Sequence, residues 1–513
     1  MRRALRERAE FPLIPRARRR ENLSLHVVGL ALLFLVPGML VATLVEWASA
    51  NSDGERALLT AALITAGVGV TLAFGFRPPD DVRPTDTFPV VVWTWLSCSL
   101  LGALPYVLDA DLFGWAHWDS ALFESISGFT ASGSTVLVDI ETHGRGMLLW
   151  RQLTQWYGGM GMLVLAVSVL PLLGVGGQEL MRAEIPGPES DRLAPRISGT
   201  AKRLWAVYAG LTVAIGVALF AVPGVGLYDS VAHALTVAAT GGFSPYGASV
   251  GHFDSLAVEL IVASGLIVGS MSFSLHYRAV LGNFGVYRRA SDQMLFLKML
   301  ATATGLVTLL LWLRQGAPFG LSLRDGFFNV VTLASSGGFH NIRPGGLGDF
   351  AAWVPPAQVV LAVLMLIGGG AGSTSGGMKV FRGQIAAAHA LRSVRQARRP
   401  RSVLPIKLGG SVIPERIVGR VLGYGTLFII TFGVGTIIVS ALGAEPVTAA
   451  SGVIAAMSNM GPALGEAGPA SNFTAFTRPA RLVLAALMLV GRLEITAVFL
   501  GAAVILRRLH LRR

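Results

Sequence analysis

Four short, mildly apolar segments, at about 119–131, 229–240, 325–336 and 446–458, each run into a glycine-bearing tract. The tracts read Thr130-Ala131-Ser132-Gly133, Thr240-Gly241-Gly242-Phe243, Ser336-Gly337-Gly338-Phe339 and Asn459-Met460-Gly461-Pro462. Crossing a bilayer takes about 20 apolar residues, so none of the four segments can span one. Long apolar runs nevertheless flank every segment. Non-helical backbone at membrane depth is tolerated only where it lines a watery cavity. Four helix–loop–helix copies in one chain therefore predict a single, four-fold pseudosymmetric pore.

The rest of the chain supplies the walls. Runs long enough to span recur at 25–46, 57–76, 88–107, 146–173, 203–222, 255–275, 293–314, 355–390 (broken), 415–442 and 480–507. Only 14% of residues are charged, against 53% hydrophobic, and mean hydropathy is +0.61. A soluble domain could not solvate itself with so little charge. The expected fold is an all-α polytopic membrane protein of about ten transmembrane helices. A basic N-terminus (1–24) and two extra helices (25–86) precede pore repeats at 87–181, 200–290, 291–392 and 410–513.

Net charge is +13 and almost every basic residue is Arg. In a soluble protein this would suggest nucleic acid. Here the basic residues cluster between spans, at 2–20, 182–203, 278–298, 379–420 and 507–513, and all five clusters fall on one side of the ten-span layout. The positive-inside rule makes that side cytoplasmic, with both termini there, and no nucleic-acid partner is expected. The filter loops then enter from outside, where Asp109, Asp111, Asp139, Glu141 and Glu466 give a mild acidic bias. The arginines at 392–401 suit either anionic lipid or an acidic partner. Ala48-Ser49-Ala50 resembles a signal-peptidase site, but the preceding run is longer than a signal peptide needs, so an uncleaved first span is expected. Cys98 is the sole cysteine, which excludes an intramolecular disulfide.

The tracts have a chemistry. A cation leaving water needs replacement oxygens, and backbone carbonyls arrayed along a narrow axis supply them. Aiming successive carbonyls one way takes backbone conformations that glycine tolerates best. A re-entrant helix also turns its partly negative C-terminus inward, which favours a cation. Asp119, Asp229 and Asp325 precede the filter glycines by 14, 13 and 13 residues, and Glu445-Pro446 opens the fourth segment. Helix N-capping rather than cation binding is the expected role of these acids.

Several stretches resemble the TrkH/TrkG potassium-uptake family, in the superfamily of K⁺ transporters. They are Arg151-Gln152-Leu153-Thr154-Gln155-Trp156-Tyr157-Gly158-Gly159-Met160-Gly161, the run from Leu170 to Gly177, Arg182-Ala183-Glu184 and Leu275-His276-Tyr277. To these add Gly368-Gly369-Gly370-Ala371-Gly372-Ser373-Thr374-Ser375-Gly376-Gly377-Met378-Lys379 and Gly491-Arg492-Leu493-Glu494. The resemblance covers nearly the whole chain, and the two extra N-terminal spans match the Trk branch. It implies a K⁺ filter at Ala131, Ser132 and Gly133; Thr240, Gly241 and Gly242; Ser336, Gly337 and Gly338; and Asn459, Met460 and Gly461. Ala131 stands where the family often has Thr, and Ala463 replaces a frequent Gly. Gly133 matches the K⁺-preferring pattern. The resemblance also implies a bacterial inner-membrane location, a homodimer, and a separate cytosolic, nucleotide-binding TrkA-like regulator. No cofactor is expected beyond K⁺ as transported ion.

The run at 368–377 is dense in glycine, each costing up to about 1 kcal/mol in a helix relative to Ala. It predicts an unwound intramembrane loop, against the alternative of small-residue helix packing. The resemblance makes it a gate below the filter, built on Gly369, Gly370, Gly372, Ser373, Thr374, Gly376 and Gly377. Lys379 ends the loop, where it is expected to snorkel toward the cytoplasm. Arg492 and Glu494 lie inside an apolar run, which marks them as functional. Arg492 either repels cations or holds the loop's freed carbonyls, and the resemblance favours the second. Glu124 and His233, within the first two short segments, are expected to hydrogen-bond behind the filter rather than to carry protons or ions. A symporter coupling K⁺ to H⁺ or Na⁺ is the alternative to a pore. An enzyme is not expected: the chain has no HExxH, no P-loop and no paired intramembrane carboxylates.

Overall fold

The computed structural model describes residues 20–49, 52–79, 87–168, 197–402 and 404–495. The basic clusters at 2–19, 182–196 and 507–513, and the 170–177 and 182–184 motifs, lie outside the described residues. Two long helices come first, α1 (Leu23–Ala48) and α2 (Ser52–Gly75). Asn22 caps α1 by accepting from the Leu25 N–H at 3.1 Å. Gly29 lets α2 approach so closely that a Cβ there would strike the Ala73 backbone. Buried Glu46, near the end of α1, accepts from the Gly146 and Met147 N–H groups at the start of a later helix. Those N–H groups are otherwise orphaned, and the positive helix end suits a carboxylate.

Four helix–pore-helix–helix units follow. The first is α3 (Thr87–Gly102), α4 (Leu104–Leu108), pore helix α5 (Trp118–Phe129) and α6 (Arg145–Ser168). The second is α7 (Ile197–Phe220), pore helix α8 (Leu227–Ala238), α9 (Leu256–Gly269) and α10 (Phe273–Val280). The third is α11 (Ser291–Arg314), pore helix α12 (Phe319–Ala334), α13 (Pro355–Ile367) and α14 (Val380–Arg398). The fourth is α15 (Glu415–Ala441), pore helix α16 (Pro446–Met457) and α17 (Arg478–Arg492). The helix that follows each pore helix packs on the next unit's pore helix: α6 on α8, α9 on α12 and α13 on α16. The packing of α17 on α5 closes the circle. The chain is thus an all-α polytopic membrane protein with four pseudosymmetric repeats around one centre and two extra helices outside them.

Among the described residues, six helices are long and apolar enough to cross a membrane, or seven if α9 and α10 count as one span. That pair, read from sequence as a straight run at 255–275, is bent by 100°. The ten-span reading adds α6, the broken α13–α14 pair and α17. The helix α6 carries Arg151, Gln152 and Gln155 toward the interior, which lowers its hydropathy without exposing it. Outward faces stay apolar, as at Leu63, Val217, Leu313 and Ile437, each about two-thirds exposed. Such faces belong against lipid rather than water. One core runs through all four repeats. A second, smaller cluster joins α14, α15 and the short hairpin Lys407–Leu408/Ser411–Val412.

The acidic residues at the pore helices act differently from the N-caps expected of them. Only Glu445 is one, accepting from the Val447 and Thr448 N–H groups at 3.0 and 3.1 Å. Asp119 and Asp229 lie in the first turns of α5 and α8, where the helix dipole favours them, but their carboxylates face Arg481 and the Tyr246 hydroxyl. Asp325 sits well inside α12, which starts at Phe319 rather than at 325. It is fully buried, paired with Arg343 at 2.7 Å, and accepts from Asn341 and the Leu347 N–H.

Candidate functional site

All four pore helices end in the same way. The second residue past each helix, Ala131, Thr240, Ser336 or Asn459, takes a left-handed conformation, with φ of 51°, 51°, 54° and 50°. Its N–H bonds three residues back, to Gly128, Val237, Leu333 and Ala456. The following N–H, of Ser132, Gly241, Gly337 or Met460, bonds five back, to Ser127, Thr236, Thr332 and Ala455. This is the Schellman ending. Glycine normally occupies the left-handed position, because other residues pay roughly 1–2 kcal/mol there. Four non-glycine residues hold it here, and such strain clusters at functional sites.

The signature glycines come two residues later. Gly133, Gly242 and Gly338 have φ of 83°, 88° and 69°. Gly461 is the exception and avoids the left-handed region, because Pro462 after it favours extended backbone. These glycines form a closed ring in chain order. A Cβ on Gly133 would overlap the Gly241 carbonyl, and one on Gly242 would lie 2.5 Å from the Gly337 carbonyl. One on Gly338 would lie 2.9 Å from the Gly461 nitrogen, and one on Gly461 would lie 2.9 Å from the Gly133 carbonyl. Gly133, Gly242, Gly338 and Gly461 together line the floor of an open cavity of 420 Å³, walled by 134–135, 137–141, Arg151, Ser244, 246–249, His340 and 467–473. The structure thus brings the four expected filter segments together, their signature glycines forming one ring below one vestibule.

Side chains behind the ring fix it. Buried Glu124 pairs with buried Arg151 at 2.6 Å and accepts from Thr135 Oγ1 and the Val136 N–H. Arg151 also donates to the Ser244 carbonyl and lies 3.5 Å over the Phe243 ring. One turn along α6, Gln155 donates to the Gly241 carbonyl at 2.6 Å and accepts from the Phe243 N–H. His233 bridges the Asp229 carbonyl and the Ser244 hydroxyl. Glu124 and His233 both hydrogen-bond behind the glycine-bearing segments of their repeats, as expected. Asn459 donates to the Met488 carbonyl and to Ser132, and Ser134 donates to the Gly461 carbonyl, which joins the fourth segment to the first. The roles of Arg151 and Gln155 were missed from sequence. The signal was their four-residue spacing, which sets two polar side chains on one face of an apolar helix.

Directly beneath, α13 stops at Ile367 and α14 starts at Val380, and the intervening backbone is unwound. Gly368, Gly372 and Gly377 take left-handed conformations. The Gly369 and Gly370 N–H groups bond to Ser375 Oγ and to the Ser270 carbonyl, and Ser373 donates to the Gly370 carbonyl. The loop touches the second, third and fourth pore segments. Thr374 donates to the Ala238 and Gly269 carbonyls and accepts from Thr240, while Ser336 donates to Ser375 and accepts from the Gly376 N–H. A Cβ on Gly376 would overlap the Ser458 carbonyl.

Two cations grip this loop. Arg492, 1% exposed, donates to the Thr374 carbonyl at 2.8 Å and to the Gly158 carbonyl at 3.1 Å. Lys379 does not snorkel: it is 4% exposed, and its Nζ donates to the Ser375 carbonyl at 2.5 Å. The unwound turn leaves carbonyls without helical partners, and at Thr374 and Ser375 these two cations supply the donors. Glu494 turns away from Arg492 and pairs with buried Arg382, which also lies 3.8 Å over the Tyr424 ring.

Comparison with known proteins agrees with this architecture. The family model described as TrkH, cation transport protein, matches residues 57–313 and 315–509. The Trk system potassium uptake protein TrkH of Escherichia coli (strain K12) is 35% identical over 473 residues, covering 91% of this chain and 95% of the relative. The protein of that name from Halomonas elongata is 37% identical over 488 residues, covering 93% and 97%. The crystal structure of the potassium transporter TrkH from Vibrio parahaemolyticus superposes with a TM-score of 0.83 at 33% identity, covering 93% of this chain and 97% of that one. With its four pore repeats and this similarity along nearly its whole length, the chain belongs to the TrkH family of cation transport proteins.

Proposed function

We propose that this chain is the potassium-conducting subunit of a Trk-type uptake system in a bacterial inner membrane, with both termini cytoplasmic. The observation that carries the reading is the closed ring of Gly133, Gly242, Gly338 and Gly461 under one vestibule. Potassium sheds water there onto carbonyls of Ala131–Gly133, Thr240–Gly242, Ser336–Gly338 and Asn459–Gly461. The repeats run 87–181, 200–290, 291–392 and 410–513. The four inward-pointing helix C-termini add their partial negative charge. The loop 368–379, held by Arg492 and Lys379, closes the path from below. It opens when the third-repeat helix that leaves it, α14, is displaced. A homodimer working with a cytosolic nucleotide-binding TrkA-like subunit supplies that displacement. Relatives named as potassium uptake proteins support the choice of ion.

The test is tracer uptake into liposomes holding the purified chain, with and without such a regulatory subunit. Uptake of ⁸⁶Rb⁺ down its gradient, blocked by excess K⁺ and insensitive to a pH step, is the expected result. Rubidium movement that stops when the proton or sodium gradient is collapsed would replace the pore with a symporter.

A further inference from the structure

The position nine residues before each signature glycine is occupied by Glu124, His233, Asn329 and Gly452. In the first three repeats that side chain reaches forward to the strand leaving the filter. Glu124 holds Thr135 and Val136, His233 holds Ser244, and Asn329 holds Asn341 at 3.0 Å. In the fourth, the space beside Gly452 is filled by the Phe476 ring. The four braces share a place and differ in chemistry: a carboxylate, an imidazole, an amide and an aromatic ring.

Of these, only Glu124 meets an opposite charge. Its partner Arg151 also binds the Ser244 carbonyl of the second repeat, so one guanidinium ties two exit strands together. Arg151 belongs to the wall of the vestibule that the four signature glycines floor. An uncompensated guanidinium there would repel every entering cation through a poorly screened path.

We propose that Glu124 and Arg151 form an electrostatic positioning pair: Arg151 fixes the exit strands of segments one and two, and Glu124 cancels its charge toward the cation path. The proposal rests on the filter reading above. The pair touches neither the filter carbonyls nor the gate loop. Its contribution is geometric order obtained without a net field at the pore mouth.

The test is ⁸⁶Rb⁺ influx into liposomes across a range of K⁺, for wild type, Glu124→Gln, Arg151→Gln and the double variant, with thermal unfolding of each. Glu124→Gln leaves +1 behind, and the half-saturating K⁺ concentration should rise by roughly tenfold, the order expected for one nearby charge. Arg151→Gln leaves −1 and should shift it the opposite way. The double variant, an amide pair of nearly unchanged shape, should return to within about threefold of wild type. A merely structural role cannot give shifts of opposite sign, and Arg151→Gln against the double variant preserves that comparison should Glu124→Gln fail to fold. Shifts of the same sign, or no shift in folded variants, would overturn the proposal while leaving the filter reading standing. Wild-type liposomes with no selective cation influx, even with a regulatory subunit, would overturn both.

Discussion

Arg492 offers the sharpest perturbation of the proposed gate. Its guanidinium makes two hydrogen bonds, one to the Thr374 carbonyl of the loop and one to the Gly158 carbonyl of α6. In the proposed gating, movement of the loop away from α6 breaks the bond to Thr374 and leaves the bond to Gly158, so only the first of these distinguishes closed from open. A hydrogen bond to a charged group contributes about 1.5–3 kcal/mol. Since about 1.4 kcal/mol is a factor of ten, Arg492→Gln should raise the ratio of open to closed by roughly 10- to 150-fold. The assay is ⁸⁶Rb⁺ efflux from liposomes containing the chain alone, where the closed state dominates and flux tracks that ratio. Arg492→Lys, which keeps a donor and the charge, should fall between. Among the described residues Arg492 pairs with no carboxylate, Glu494 being taken by Arg382, so its loss strands no opposite charge; it does leave two buried carbonyls without their donor, and the unfolding temperature should fall. A folded Arg492→Gln protein with wild-type efflux would refute this role for Arg492.

Lys379→Met should likewise raise efflux, because it frees the Ser375 carbonyl, and the two substitutions together should exceed either alone in the same assay. Glu494→Gln strands Arg382 in the interior and should cost about 3–5 kcal/mol of stability, read by thermal unfolding in detergent. Glu445→Ala removes the one side-chain cap on a pore helix and should cost about 1 kcal/mol by the same measurement, with little change in ion selectivity.

Much of the architecture was legible because it is written in hydropathy and glycine spacing. The four short segments, their glycines and the unwound stretch at 368–377 fall where expected, except that the third helix starts earlier. A sequence shows which residues cannot be helical in a membrane more readily than it shows what their side chains meet. The acids at 119, 229 and 325 looked like caps because they stand near segment starts. In α12 the helix begins six residues earlier, at Phe319 behind Pro318, and Asp325 turns instead to Arg343 from the exit strand, a partner 18 residues away. Lys379 looked like a snorkelling residue because it ends a run. Its left-handed backbone, φ 69°, aims it back under the loop, a direction that no spacing rule contains. The Arg151–Glu124 pair was hidden for a related reason: its two members lie in different helices, and each alone reads as an isolated charge in an apolar stretch. The 100° bend after α9 was hidden too, since the apolar run continues across Ser270 and Ser272 without a proline.

The most direct test of the filter is selectivity at Gly133. Its φ of 83° suits glycine alone, and any Cβ there would overlap the Gly241 carbonyl in the neighbouring segment. Purified chain in liposomes should pass K⁺ and Rb⁺ in preference to Na⁺ and Li⁺. Gly133→Ser should lose that preference while still conducting, because the ring is forced open at one of its four contacts. A Gly133→Ser protein that is folded, conducts, and retains the wild-type order of ions would contradict the ring as the seat of selectivity.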